Sequence, residues 1–181
     1  MLSITIEESL GLANIALLRQ LRYLVLREPL GLPYEETLFP GDEYPQTRHV
    51  VAVLDGQPVG CLTLMPPQPI QNEDRPLLVA PHLKIPQIKS PQLELEWAWV
   101  QLRGMAVLGE LQGQGIGSRL LEHVAELATK NNWLLWCKAR EQAIPFYAAN
   151  GWRVVGDRFE IPNIGPHFRM EWEPQTMQLH N

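Results

Sequence analysis

The residues with the clearest chemical meaning in this 181-residue chain are Gln112, Gly113, Gln114, Gly115, Ile116, Gly117 and Ser118. They fall between a strand-like run and a helical one. Glycine lets a backbone turn tightly and approach a ligand closely. The first amides of a following helix have no intrahelical acceptor, and the helix dipole adds partial positive charge there. Such a turn suits an anion, and a phosphate or pyrophosphate is the expected guest. A P-loop is excluded, because no lysine follows Gly117. A dinucleotide fingerprint is incomplete, because Ser118 stands where its third glycine would fall. The plain alternative is a tight strand–helix turn that binds nothing.

The elements that must position this turn follow from hydrophobic periodicity. Leu2, Ile4 and Ile6 alternate with polar residues, as in a strand. Leu17, Leu18, Leu21, Leu24 and Val25 recur at helical spacing, with Arg19, Arg22 and Arg27 expected on a solvated face; Arg22 is the one that could instead point towards a cleft. Pro29 and Gly31 end that helix. His49–Leu54 and Val59–Met65 flank Asp55-Gly56, a hairpin with a type I′ turn. Seven prolines between 66 and 92 exclude regular structure over most of that stretch. Strand character returns over Leu93–Val107. Ile116, Leu120, Leu121, Val124 and Ala128 predict a helix closed by Asn131-Asn132. A buried strand over Trp133–Lys138, a short helix over 141–150 stopped by Asn150-Gly151, and strands at Trp152–Val155 and His167–Trp172 complete the order.

This order predicts one α/β domain over residues 1–173, with the proline-rich insertion at 66–92 and a loose tail at 174–181. Apolar residues are 45% and charged residues 19%, enough for one core, and the formal net charge of −5 gives no nucleic-acid footprint. No run is long and apolar enough for a membrane span, and no basic leader precedes the first acidic residues, so the expected location is the cytoplasm. Cys61 and Cys137 sit in apolar strand-like runs and read as reduced core thiols. No cysteine–histidine spacing matches a metal site, so no metal is expected. The six tryptophans, on predicted strands, read as sheet packing rather than as an acceptor pocket.

Two motifs together resemble the GCN5-related N-acetyltransferase (GNAT) superfamily. Gln112, Gly115 and Gly117 match its Gln/Arg-x-x-Gly-x-Gly/Ala signature, and Phe146-Tyr147 with Gly151-Trp152 match its later aromatic and Gly-aromatic steps. The stretches 139–147 and 165–170 are similar to the ElaA/YjcF-like branch. The resemblance implies a mixed, mostly antiparallel central sheet with flanking helices and a splay between the fourth and fifth strands. It implies acetyl-CoA as co-substrate, its pyrophosphate on the amides of Gln112 to Ser118 and its pantetheine along Met105, Ala106 and Val107. The implied reaction is direct attack of a primary amine, on a small molecule or a peptide, upon the thioester.

In such enzymes a backbone amide near Val107 faces the developing oxyanion, and Tyr147 takes the position of the general acid. The base is less defined. Some relatives use a glutamate on the fourth strand, where this chain has Gln101-Leu102-Arg103; Glu94 and Glu96 read as solvated. His167 is a candidate base or substrate contact, His82 a weaker one, and a water chain to bulk could serve instead. Two competing readings stay open: a catalytically silent CoA-binding sensor or scaffold, and another nucleotide-binding enzyme using the same anion site. A homodimer is compatible with the sequence, and neither nucleic acid nor membrane is an expected partner.

Overall fold

The computed structural model describes residues 3–69 and 97–174. The prolines beyond 69, His82, Glu94, Glu96, the start of the strand expected at Leu93 and the tail beyond 174 lie outside them. The described residues form two compact units: 3–66 with 101–124, and 67–69 and 97–100 with 125–174. Strand β5 (Ala98–Val107) and helix α2 (Ile116–Asn131) each run from one unit into the other.

In the first unit β1 (Ile4–Leu10), β2 (Arg48–Leu54), β3 (Gln57–Leu64) and the later part of β5 form an antiparallel sheet in that order. Asp55 and Gly56 have φ of 51° and 77°, the pair of positive values that a type I′ hairpin requires. The apolar runs Val50-Val51-Ala52 and Cys61-Leu62 are buried throughout, which is why they do not alternate. Helix α1 (Ile15–Arg22) lays Leu18 and Leu21 on Val51, Cys61 and Ala106. Burying a leucine contributes about 1.5–3 kcal/mol.

The arginines of α1 depart from the solvated face expected of them. Arg22 is fully buried, and its guanidinium donates to Asp42 (2.6 and 3.3 Å), to the Thr37 carbonyl (2.9 Å) and to the Thr63 hydroxyl (2.7 Å). After Arg22 the helix widens over Tyr23–Arg27, where the amide of Glu28 bonds the carbonyl of Tyr23. A widened turn brings residues five apart onto one side. Arg22 and Arg27 consequently both lie over Phe39, at 4.2 and 5.1 Å. Arg19 stacks instead on Tyr34 at 4.5 Å. Asp42 lies twenty residues downstream in a loop, so helical spacing alone could not reveal the pairing.

His49 extends this network with defined proton directions. A carbonyl only accepts, so Nε2 donates to Gly11 O (2.8 Å), and Nδ1 accepts from Thr63 (2.8 Å), whose oxygen accepts from Arg22. The ring is fully buried in its neutral form.

In the second unit β6 (Trp133–Arg140), β8 (Gly165–Trp172) and β7 (Arg153–Ile161) pair antiparallel in that order. A two-residue strand, β4 (Gln68–Pro69), pairs with the start of β5. Strand β7 runs further than the predicted Trp152–Val155. The register shifts between Val155 and Phe159, and Gly156 takes a φ of 77°. Gly156-Asp157 has the composition of a turn, but here it forms a bulge within a continuing hairpin. Helix α3 (Ile144–Ala149) starts with Pro145 in its first turn and stops at Gly151, whose φ is 81°.

Burial holds the His49 pKa below its usual value, so the folded chain keeps this ring neutral where the unfolded chain would protonate it. Its contribution is present above the unfolded pKa of about 6.5 and is lost as pH falls from there. Urea unfolding should show a midpoint that drops between about pH 7 and about pH 5. His49→Asn should be weaker at neutral pH and flatter through that window.

Candidate functional site

The glycine-rich turn belongs wholly to the first unit. Strand β5 ends at Val107, a short helical turn covers Gly109–Leu111, and α2 begins at Ile116. Gly113 and Gly115 have φ of 76° and 83°, which explains two of the glycines by conformation alone. No heavy atom lies within 4 Å of where a Cβ would stand on either, so both glycines also border open space. The amide of Arg119 bonds Gly115 O at 3.1 Å, an i→i−4 bond at the start of α2. The amides from Ile116 to Ser118 therefore precede it, at the positive end of a 16-residue helix.

Gln112 does something the sequence did not suggest. Its side-chain amide donates to the carbonyl of Val107 at 2.9 Å, locking the turn back onto the end of β5. The same bond brings Met105–Val107 and Gln112–Ser118 into one site. Gly60 on β3 allows the close packing beneath it: a Cβ there would meet Ala106 O at 3.1 Å, Val107 Cγ2 at 3.2 Å and Leu120 Cδ1 at 3.3 Å. Between Arg103 and Ala106 the register against β3 slips at Gly104, whose φ is 60°. This bulge re-aims the strand just before Met105.

Tyr147 and His167 lie in the second unit. Tyr147 is buried on α3, edge-on to Phe146 and Trp152 with ring centroids 5.2 and 5.3 Å away. Its hydroxyl hydrogen-bonds Cys137. Burial pushes the Tyr147 pKa well above its ordinary value, and the neighbouring thiol adds to the rise. Burial likewise pushes Cys137 up to about 12, so this pair stays protonated. His167 is buried too, stacked on Phe159 at 5.9 Å, and its Nδ1 donates to Gly165 O at 2.8 Å. In the neutral ring that bond puts the lone pair on Nε2. The structure does not bring the two together. His167 pairs with Arg140 and Met170 with Cys137, and strand alternation puts His167 and Cys137 on opposite faces of the β6–β8 pair.

The tryptophans fall largely where sheet packing predicts, with Trp99 and Trp152 buried, although Trp97 and Trp152 lie just outside the strands. Arg169 stands over Trp136 at 4.3 Å and over Trp99 at 5.6 Å. Sequence reasoning missed Glu171, a buried carboxyl on the His167 face of β8. Burial raises its pKa, and the bond from Arg169 Nε at 2.7 Å only partly offsets this. A glutamate two residues after an arginine on a terminal strand reads as solvent-facing, so no local signal marked it. Among the described residues no three His, Cys, Asp or Glu side chains gather as a metal site, and no helix is long and apolar enough to cross a membrane.

This arrangement of strand, glycine turn and helix coincides with a family model: residues 45–154 match the acetyltransferase (GNAT) domain. The chain belongs to the GNAT family. Its α/β class, mostly antiparallel with flanking helices, is the one expected from the element order. An uncharacterised N-acetyltransferase of Bacillus subtilis, YitI, is 39% identical over 83 residues, which is 45% of this chain. The match spans only 56% of that relative's length. The crystal structure of Escherichia coli ElaA superposes with a TM-score of 0.67 at 20% identity, covering 94% of this chain and all of that one. An acyl-CoA N-acyltransferase from Pseudomonas aeruginosa gives 0.66 at 21% identity, covering 94% of this chain and 99% of that one. At these identities the structural likenesses speak for the fold.

Removing the Gln112 lock should loosen the turn without unfolding the GNAT domain. Gln112→Ala should cost about 1 kcal/mol in urea unfolding, the worth of one partly buried hydrogen bond. Amide exchange across 112–118 should speed up by more than the global change, and equal acceleration elsewhere would argue against a local lock.

Proposed function

We propose that this GNAT domain is an acetyl-CoA-dependent N-acetyltransferase acting on a primary amine. The observation that carries the reading is the open, positive-φ turn at Gly113 and Gly115 ahead of the α2 amides. An open turn without side chains at Gly113 and Gly115, followed by outward amides at a helix N-terminus, fits a pyrophosphate. Coenzyme A, when bound, supplies an activated thioester whose carbonyl an amine attacks. The YitI and acyl-CoA N-acyltransferase relationships support this donor class.

The chain's own residues supply the rest. Backbone amides from Gln112 to Ser118 hold the diphosphate, and the backbone of Met105–Val107 holds and orients the pantetheine arm. An amide near Val107 faces the carbonyl oxygen as charge develops, where a preorganised donor is worth most. Tyr147 donates a proton to the leaving sulfur. Its raised pKa keeps the phenol protonated well into alkaline conditions, so it remains a donor at any working pH. The proton of the incoming amine leaves through a water chain to bulk, because His167 faces away from the side of the β6–β8 pair on which Tyr147 bonds Cys137.

Two variants test the reading. Gly115→Ala places a Cβ in the open turn and strains a φ of 83°. The strain costs about 1–2 kcal/mol, so the domain stays folded; the calorimetric affinity for CoA should fall at least tenfold. Tyr147→Phe should hold CoA and lose about a hundredfold in turnover, in the range general acids contribute. Full turnover in the phenylalanine variant would remove Tyr147 from the mechanism. No heat of CoA binding to the wild type would sink the whole proposal, including the silent CoA-sensor alternative.

A further inference from the structure

Around Phe39 two guanidiniums, Arg22 and Arg103, share the one carboxylate of Asp42, while Arg27 has Glu36 at 4.0 Å. Three arginines, Arg22, Arg27 and Arg103, have their guanidinium carbons 4.2, 5.1 and 5.6 Å from this one ring. The buried counter-charge is Asp42. Its Oδ2 accepts from Arg22 (2.6 Å) and from the Phe39 amide (2.8 Å), and its Oδ1 accepts from Arg22 (3.3 Å) and Arg103 (3.1 Å). An ionised carboxylate offers about four lone-pair sites, so Asp42 is fully committed. Its single charge is divided between two guanidiniums.

Those two differ in what remains to them. Arg22 is sealed, with both terminal nitrogens bonded and only Nε lacking an acceptor. Arg103 bonds Asp42 through one nitrogen, its Nε also lacks an acceptor, and 18% of its side chain remains exposed. Glu43 lies within electrostatic reach, but it is exposed and solvated, and its carboxylate accepts from the Gly41 amide. A half-buried guanidinium is costly without a full counter-charge. Its planar fork suits a second carboxylate in a bidentate pair.

The position of Arg103 gives that fork a purpose. It stands on β5 four residues before Val107, with the Gly104 bulge between them. At about 3.3 Å per residue, less the bulge, the two backbones lie within about 13 Å. An extended amino acid or short peptide can span that separation.

We propose that Arg103, fixed by Asp42 and Phe39, recognises a carboxylate on the amine acceptor, so that the substrate class is a free amino acid or a peptide with an open C-terminus. This inference rests on the acetyltransferase reading above. Arg103 is a specificity-determining residue, and the Arg22–Asp42 pair is its support. The Gly104 bulge belongs to the same device, since a Cβ there would stand 2.8 Å from Arg22 Nε and 2.9 Å from the Phe39 ring.

The test is a thiol-release assay over α-amino acids and short peptides, each paired with its C-terminal amide. The wild type should favour the acids by about ten- to a hundredfold in kcat/KM, the worth of a charge-assisted bond, carried mainly in KM. Arg103→Gln should bring that ratio close to one, with Arg103→Lys in between. The free amino acid and peptide arms say which source of carboxylate is used. A ratio near one in the wild type, or an unchanged ratio in Arg103→Gln, overturns the inference. If no acceptor turns over or Arg103→Gln fails to fold, nitrogen-15 spectra of CoA-loaded wild type decide the matter. The arginine Nε–H signal that disappears in Arg103→Lys should move with N-acetylglycine and not with N-acetylglycinamide; no movement overturns the inference. Calorimetry with CoA on the same preparations separates the two readings. CoA binding without carboxylate preference removes this one alone, and absent CoA binding removes both.

Discussion

Four donors converge on the carboxylate of Asp42, from helix α1, from the Phe39 loop and from strand β5, while its own backbone carbonyl faces the His49 ring at 3.3 Å. Burial alone would raise the Asp42 pKa, but the hydrogen bond and charge of Arg22 outweigh it and hold the group below the usual carboxylate range. The ion stays ionised because it is surrounded by donors rather than by water. Removing one partner of such a pair costs about 3–5 kcal/mol, since the other is left charged and dry. This interaction fixes α1 against the sheet and sets the course of β5 before the glycine turn. The placement of the turn depends on it, though no atom of Asp42 belongs to the turn.

The turn itself is built on a different principle. Two glycines adopt conformations that other residues resist, and the vacant volume beside them is where an anion can come close to main-chain donors. The Gln112 amide closes the loop onto Val107, so strand end and helix start move as one piece. A preorganised donor array stabilises charge without reorganising first, which is what acyl transfer requires of its binding site. The acid and base candidates rely on burial instead. Tyr147 sits against a thiol and His167 against a carbonyl, neutral partners that fix the direction of each polar group without adding charge.

Much of this was legible in the chain. Asp55-Gly56, Asn150-Gly151 and the 113–117 run announce themselves, because positive φ is nearly a glycine and asparagine property and therefore a local one. Helix α2 showed in the spacing of Ile116, Leu120, Leu121 and Val124, all of them buried. What stayed hidden was non-local. Arg22 reads as surface until Asp42, Thr37 and Thr63 arrive from elsewhere in the chain to satisfy it. The Gly156 bulge looks like a turn because local composition cannot say whether pairing resumes beyond it. Glu171 looks solvated for the same reason. The side-chain role of Gln112 was obscured by its motif, which drew attention to the amides around it.

The two thiols carry a practical consequence. Cys61 and Cys137 are both buried, and burial pushes each up to about 12. Thiolate is the reactive form, so neither has an appreciable nucleophile to offer near neutrality. Chromogenic disulfides that report liberated coenzyme A can then be used continuously, without labelling the enzyme or consuming its activity as the reaction is followed.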